Sequence, residues 1–177
     1  AYSVVLKYDA ADINKSVFSA DLTTEKLEND QFARATQYFA SFKALDLLKE
    51  EFSEISDSDR SDIKKSMLAK DQIDSKTYPS ITAAMTSIRS EKRKIGQMNF
   101  SHTATLDITI KGKTVSQKAA VNIKSPDETT LMILGLVKTK FSDFAIEPYS
   151  AMFGAVKNED PFEIFVEIHA TKKPLKD

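Results

Sequence analysis

Two histidines, His102 and His169, are the side chains best suited to hold a metal ion or move a proton near neutral pH. A metal site built on them needs both, together with a carboxylate such as Glu167. His102 falls on the apolar parity near the start of one alternating stretch. His169 falls on the polar parity near the end of another. Unclustered in this way, they read as ordinary strand residues rather than as ligands. Asp59, Arg60 and Asp62 form a compact charged group, read as capping and local ion pairing at a helix start. The densest basic cluster, Arg89 to Lys94, precedes Gly96 and reads as a solvated hairpin loop rather than a phosphate site. There is no cysteine, so disulfides, thiolate metal sites and cysteine nucleophiles are excluded. No nucleophile elbow, phosphate-binding loop, dinucleotide fingerprint or paired metal motif occurs, and the expectation is a protein that is not an enzyme.

If little points to catalysis, the elements must be built for something else. The chain has 177 residues, enough for one domain spanning 1–177 with a substantial core. Acidic and basic residues nearly cancel at a net charge of −1, so no overall field argues for nucleic acid as a partner. Tryptophan is absent while phenylalanine numbers 11, a choice of large apolar side chains without a polar handle that suits a dry interior. No apolar run is long enough for a membrane-spanning helix. The opening residues already alternate like a strand, which points to a processed or trimmed N-terminus.

The clearest local signal runs from Met98 to Ile123. Phe100, Ala104, Leu106, Ile108 and Ile110 share one parity, and Val115, Ala119, Val121 and Ile123 share one in the next segment. The two segments flank Lys111-Gly112-Lys113. A period of two with one apolar face predicts a half-buried antiparallel hairpin. Further strands are predicted at Tyr2 to Tyr8, Ser16 to Leu22, from Ile81 onward, Leu131 to Phe141 and Phe162 to Ala170. Leu131 to Phe141 is apolar on both faces in its first half. Residues 36–46 lean to strand, because Tyr38, Ala40, Phe42 and Ala44 alternate, and residues 25–35 suit a short helix capped by Thr24. A clearer helix is predicted over 59–69, with Ser56, Asp57 and Ser58 offering N-cap oxygens. Residues 146–154 read as an apolar loop, a lid packed on the end of the fold or a lip that touches a membrane. About eight strands and one helix make an all-β protein.

Four phrases in order resemble the YceI-like family. They are Asp59-Arg60-Ser61-Asp62 leading through Met67-Leu68; Lys76-Thr77-Tyr78-Pro79-Ser80-Ile81; Leu106 to Val115; and Phe141-Ser142-Asp143-Phe144-Ala145-Ile146, followed by a closing strand that ends at Ala170. Ala145 stands where the family has glycine, Lys140 where it often has arginine, and residues 1–55 carry no convincing match to its phrases. The resemblance implies an antiparallel eight-stranded lipocalin-like barrel with one short helix, periplasmic or secreted in a bacterium. It implies a tunnel for a long isoprenoid lipid, such as ubiquinone or a polyprenyl phosphate or pyrophosphate, with no catalytic cofactor. It leaves room for transient membrane contact and for a homodimer.

Within such a tunnel, the expected lining is Phe18, Phe42, Ile81, Met85, Phe100 and Ala104, then Leu106, Ile108, Val121, Met132, Leu134 and Phe141. Phe144, Met152, Phe153, Phe162, Ile164 and Val166 complete it. Alternation alone describes a core filled by its own side chains at least as well. Only the resemblance turns the reading toward a tunnel. The alternative is a non-catalytic β-barrel recognition module of a larger secreted protein, polysaccharide-associated in one version, although the lack of tryptophan counts against a carbohydrate platform.

Overall fold

A computed structural model describes residues 2–28, 41–45, 56–151 and 156–171. Seven antiparallel strands form one curled sheet. They are β1 (Tyr2–Lys7), β2 (Val17–Thr23), β3 (Ser80–Ile95), β4 (Met98–Ile110), β5 (Lys113–Lys124), β6 (Thr130–Lys140) and, after a separate ribbon, β9 (Pro161–Thr171). The ribbon pairs β7 (Ser150–Ala151) with β8 (Val156–Lys157). Helix α1 spans Asp57–Leu68. Sheet order is β1-β2-β3-β4-β5-β6-β9, so among the described residues the sheet is a half-barrel with β1 and β9 at its edges, not the eight-stranded barrel expected.

Two local expectations change for identifiable reasons. The basic cluster is strand, not loop. Arg93, Lys94 and Ile95 pair with Phe100, Asn99 and Met98, and the turn is confined to Gly96-Gln97, with Gly96 at φ 56°. Residues 41–44 are helical rather than extended. A helix puts Phe42 and Leu45, three apart, on one face. Leu45 is buried against Phe100, Ala120 and Leu136, and Phe42 meets Phe165 edge-on with ring centroids 5.2 Å apart. Alternation in the sequence was the weaker signal there. Of residues 25–35, 25–28 are described: Thr24–Lys26 is a 3-10 turn, and Leu27 after it is extended.

The central hairpin forms as predicted. Lys111 and Gly112 both have positive φ, 51° and 72°, the two-residue turn whose twist matches that of paired strands. Ser56 caps α1, accepting from the Asp59 N–H at 3.1 Å and donating to the Asp59 carboxylate at 2.7 Å. Arg60 pairs with Asp57 at 3.9 Å, so the charged phrase serves local helix structure.

Register assigns the two faces. One row crosses the inner face through Ile88, Ala104, Ala119, Val137 and Ile164. The adjacent row, Thr103, Ala120, Leu136 and Phe165, crosses the outer face. Each face carries an apolar cluster. The outer one gathers Leu45, Phe100, Ala120 and Leu136. Phe100 has the parity of the inner residues of β4, yet it lies in this outer cluster. Both ladders are irregular beside it: β3 carries one extra residue between Ser90 and Arg93, and on the β5 side the Ser101 hydroxyl accepts from the Ile123 N–H at 3.4 Å.

Candidate functional site: an apolar groove on the inner face

The inner face divides into a filled end and a hollow one. At the filled end, where β3 and β9 begin and β4 and β6 finish, the turn Ser142–Phe144 folds back over the sheet. Phe144 is 1% exposed, Phe141 stacks on Phe162 at 4.4 Å, and Ile108, Ile110 and Ile146 are buried beside them. Asp143 fastens this turn. Its carboxylate accepts from Gln117 Nε2, Thr139 Oγ1 and the Lys140 N–H, each at 3.2 Å, while Gln117 Nε2 also donates to Thr139 Oγ1 at 2.9 Å. Three donors on one carboxylate satisfy polar groups that packing would otherwise strand. Tyr78 closes another side: its ring lies where a Cβ on Gly112 would come within 2.5 Å. The Thr24 N–H and hydroxyl donate to the Pro79 and Tyr78 carbonyls at 2.9 and 3.2 Å. Three of the four recognisable phrases therefore meet at this end, and their work there is structural.

Toward the other end the inward residues shrink. Ala104, Ala119 and Gly135 floor a cavity of about 80 Å³, walled by Leu6 and Phe18 from β1 and β2 and by Val166 and Ile168 from β9. Apart from Ser16 and the phenol of Tyr8, its lining is apolar, and no lining residue is charged.

Of the expected lining, Phe18, Met85, Ala104, Leu106, Val121 and Val166 border this cavity. Ile81, Ile108, Phe141, Phe144, Phe162 and Ile164 belong instead to the inner-face cluster that fills the sheet beside it. Phe42, Phe100 and Leu134 pack on the outer face, and Met132 shares the outer parity of Leu134. Met152 and Phe153 lie outside the described residues. The error in β6 has a simple cause. Its first half is apolar on both faces, so period-two reading could not choose a side, and the inward residues are Ile133, Gly135 and Val137. Leu6, Tyr8, Ile13 and Val17 also border the cavity. Their alternation was legible for β1, but pairing with β2, which turns Leu6 and Phe18 to the same side, is a tertiary fact.

His102 and His169 sit far from one another in the sheet. His169 Nε2 lies 2.6 Å from Glu167 Oε1 on the outer face of β9. His102 lies on the inner face, opposite Val121. Among the described residues, no group of three or more histidine or acidic side chains is placed to hold a metal ion.

A curled antiparallel sheet around an apolar hollow defines the lipocalin-like class of β proteins. The YceI-like domain matches this chain over residues 2–170, and the chain belongs to that family. The fold is similar to that of the Campylobacter jejuni YCEI protein, at 17% identity and TM-score 0.56, covering 98% of this chain and 82% of that one. A mutant of the CJ YCEI protein crystallised with a monobromobimane guest is similar at TM-score 0.60 and 16% identity, with the same coverage. Burkholderia cenocepacia BcnA is similar at TM-score 0.58 and 17% identity, covering 98% of this chain and 84% of that chain. No curated protein sequence matches.

Proposed function

We propose that this chain binds the isoprenoid tail of a lipid in the inner-face groove, as a carrier or sequestering protein and not as an enzyme. The observation that carries this reading is the uncharged hollow floored by Ala104, Ala119 and Gly135, beside a region the same sheet fills with phenylalanine. The sheet has the alternation to fill both ends and leaves one open.

Each buried CH₂ contributes about 0.8 kcal/mol, so an isoprene unit contributes roughly 4 kcal/mol at most. Tail burial alone supplies affinity, and several units approach the ceiling of about 20 kcal/mol for non-covalent binding. A cavity of about 80 Å³ is smaller than the roughly 300–1,000 Å³ typical of small-molecule sites. A long tail must therefore run out of the groove or part β1–β2 from β6–β9, the two edges that are unpaired with each other among the described residues. A homodimer would lengthen the groove by a second route. The family resemblance favours a polyprenyl quinone or polyprenyl phosphate as ligand, and a periplasmic or secreted setting with transient membrane contact for loading.

The test is organic extraction of natively purified protein followed by mass spectrometry. A single polyprenyl species near one per chain is expected. A well-folded protein that yields no lipid, and whose melting temperature no polyprenyl compound raises, overturns the proposal. Cell fractionation checks the compartment.

A further inference from the structure

A basic belt starts at the hollow end of the sheet and runs up its outer face. The helical turn at 41–44 covers the apolar middle of that face, where Leu45 meets Phe100, Ala120 and Leu136. Two adjoining surface hollows stay open beside it. One is bordered by Lys92, Arg93 and Lys94, with Asn99, Ser101 and Asn122. The other shares Arg93 and adds Lys118, Lys138 and Ser116. Strict alternation along a strand would split Lys92, Arg93 and Lys94 between two faces. The extra β3 residue between Ser90 and Arg93 distorts the strand just there, and all three border one hollow.

The charge is segregated, not merely present. The chain holds 25 basic and 26 acidic residues, yet the two linings together carry Lys92, Arg93, Lys94, Lys118 and Lys138 and no acid. Glu91, the acid next to Lys92, is held by Arg89 at 2.9 Å. Lys138 lies 3.7 Å from Glu163. The β5–β6 register puts Lys118 opposite Lys138, one step beyond the pair Ala119–Val137. Like charges opposed across strands cost stability unless an anion sits over them. The Asn99 and Asn122 amides add uncharged donors. Such a lining can hydrogen-bond several anionic oxygens at once. A net charge of −1 does not oppose this, because charges beyond about 8 Å are screened at physiological salt and the local belt decides.

We propose that this basic end docks on the anionic surface of a lipid bilayer, with Lys92, Arg93 and Lys94 taking head-group phosphate oxygens and Lys118 and Lys138 adding to the field. The choice of a bilayer over a soluble phosphate compound rests on the reading of the groove as an isoprenoid site, since a long hydrocarbon tail partitions into membranes. Lys92 to Lys94 lie where β3 finishes and β4 begins, so a bilayer held there meets the hollow end of the fold and not the filled one.

The test is co-sedimentation of the whole chain with vesicles of phosphatidylcholine alone or mixed with phosphatidylglycerol, neither containing an isoprenoid. Binding is expected only to the anionic vesicles, and it should weaken steeply with added salt. Both responses are read on the unmodified protein. Each basic residue near an anionic surface is worth about fivefold in affinity. R93Q should therefore lose roughly fivefold, and K92Q/R93Q/K94Q roughly a hundredfold. K65Q/K113Q, which removes two exposed charges on α1 and at the filled end, should bind as before. Equal binding to both vesicles, or a loss in K65Q/K113Q as large as in R93Q, overturns the assignment. Inorganic tripolyphosphate that raises the melting temperature through Lys92, Arg93 and Lys94, in a protein that ignores anionic vesicles, overturns the bilayer in favour of a soluble phosphate ligand. Lipid extraction judges the isoprenoid reading separately, so either can fail while the other stands.

Discussion

The two ends of the inner face are written in the same alternating code and come out as opposites. At one end Phe141, Phe144 and Phe162 fill the space over the sheet; at the other Ala104, Ala119 and Gly135 leave it vacant. Both ends are apolar, so hydrophobicity does not separate them. Side-chain volume at the inward positions does. An interior whose facing residues are large becomes core, and one whose facing residues are small becomes a site, provided the walls are rigid enough not to collapse. The filled end supplies that rigidity through Asp143, Tyr78 and the tight turn at Gly112.

This contrast can be broken most severely at the filled end. Phe144→Ala removes a ring that is 1% exposed and should cost about 3–5 kcal/mol, measured by denaturant unfolding. Gly112→Ala forces a side chain into Tyr78 at a φ of 72° and should cost about 2 kcal/mol by the same measurement. An unchanged midpoint would mean that Tyr78 swings away freely and is not part of the seal.

The hollow end should answer differently. A Cβ on Gly135 meets only Val166, at 3.8 Å, so the strand tolerates a side chain there. Gly135→Leu should fill the groove and weaken isoprenoid binding more than tenfold, about 1.4 kcal/mol, while the melting temperature holds or rises. If binding survives, the ligand does not run over Gly135.

Two smaller effects sharpen the comparison. Ala145 adopts the left-handed conformation, φ 56° and ψ 36°, at the end of the capping turn. Ala145→Gly should relieve it and stabilise the protein by about 0.5–1 kcal/mol. At the opposite end, Asp127 accepts from the Thr129 N–H, the Thr129 hydroxyl and the Thr130 N–H, each at 2.8 Å, in the turn between β5 and β6. These bonds, the Thr129 hydroxyl first, lower its pKa to about 2. A carboxyl depressed in the folded state stabilises above its unfolded pKa, and that contribution fades as pH falls from about 4 through about 2. Asp127→Asn should flatten this part of an acid-unfolding profile by lowering stability at neutral pH, with little change below about pH 2.

The sequence by itself determined what local chemistry controls. The hairpin of β4 and β5 follows from alternation and from glycine at a turn that needs positive φ. The start of α1 follows from the Ser56 cap. The resemblance rests on short phrases, and these lie where backbone geometry is most demanding: Tyr78 against Gly112, Asp143 under its three donors, Ala145 at positive φ. Such positions restrict residue type strongly, which makes them legible. The groove is different. It is made of small and branched apolar residues whose identity is interchangeable, and its location depends on which strands face one another. Phe100 packs in the outer cluster despite its inner parity, Leu134 and Met132 were given to the wrong side of a strand apolar on both, and Phe42 became helical to cover the outer surface. Only the tertiary structure decided these, because period-two patterning tells two faces of a strand apart without saying which neighbour, or which empty space, each will meet.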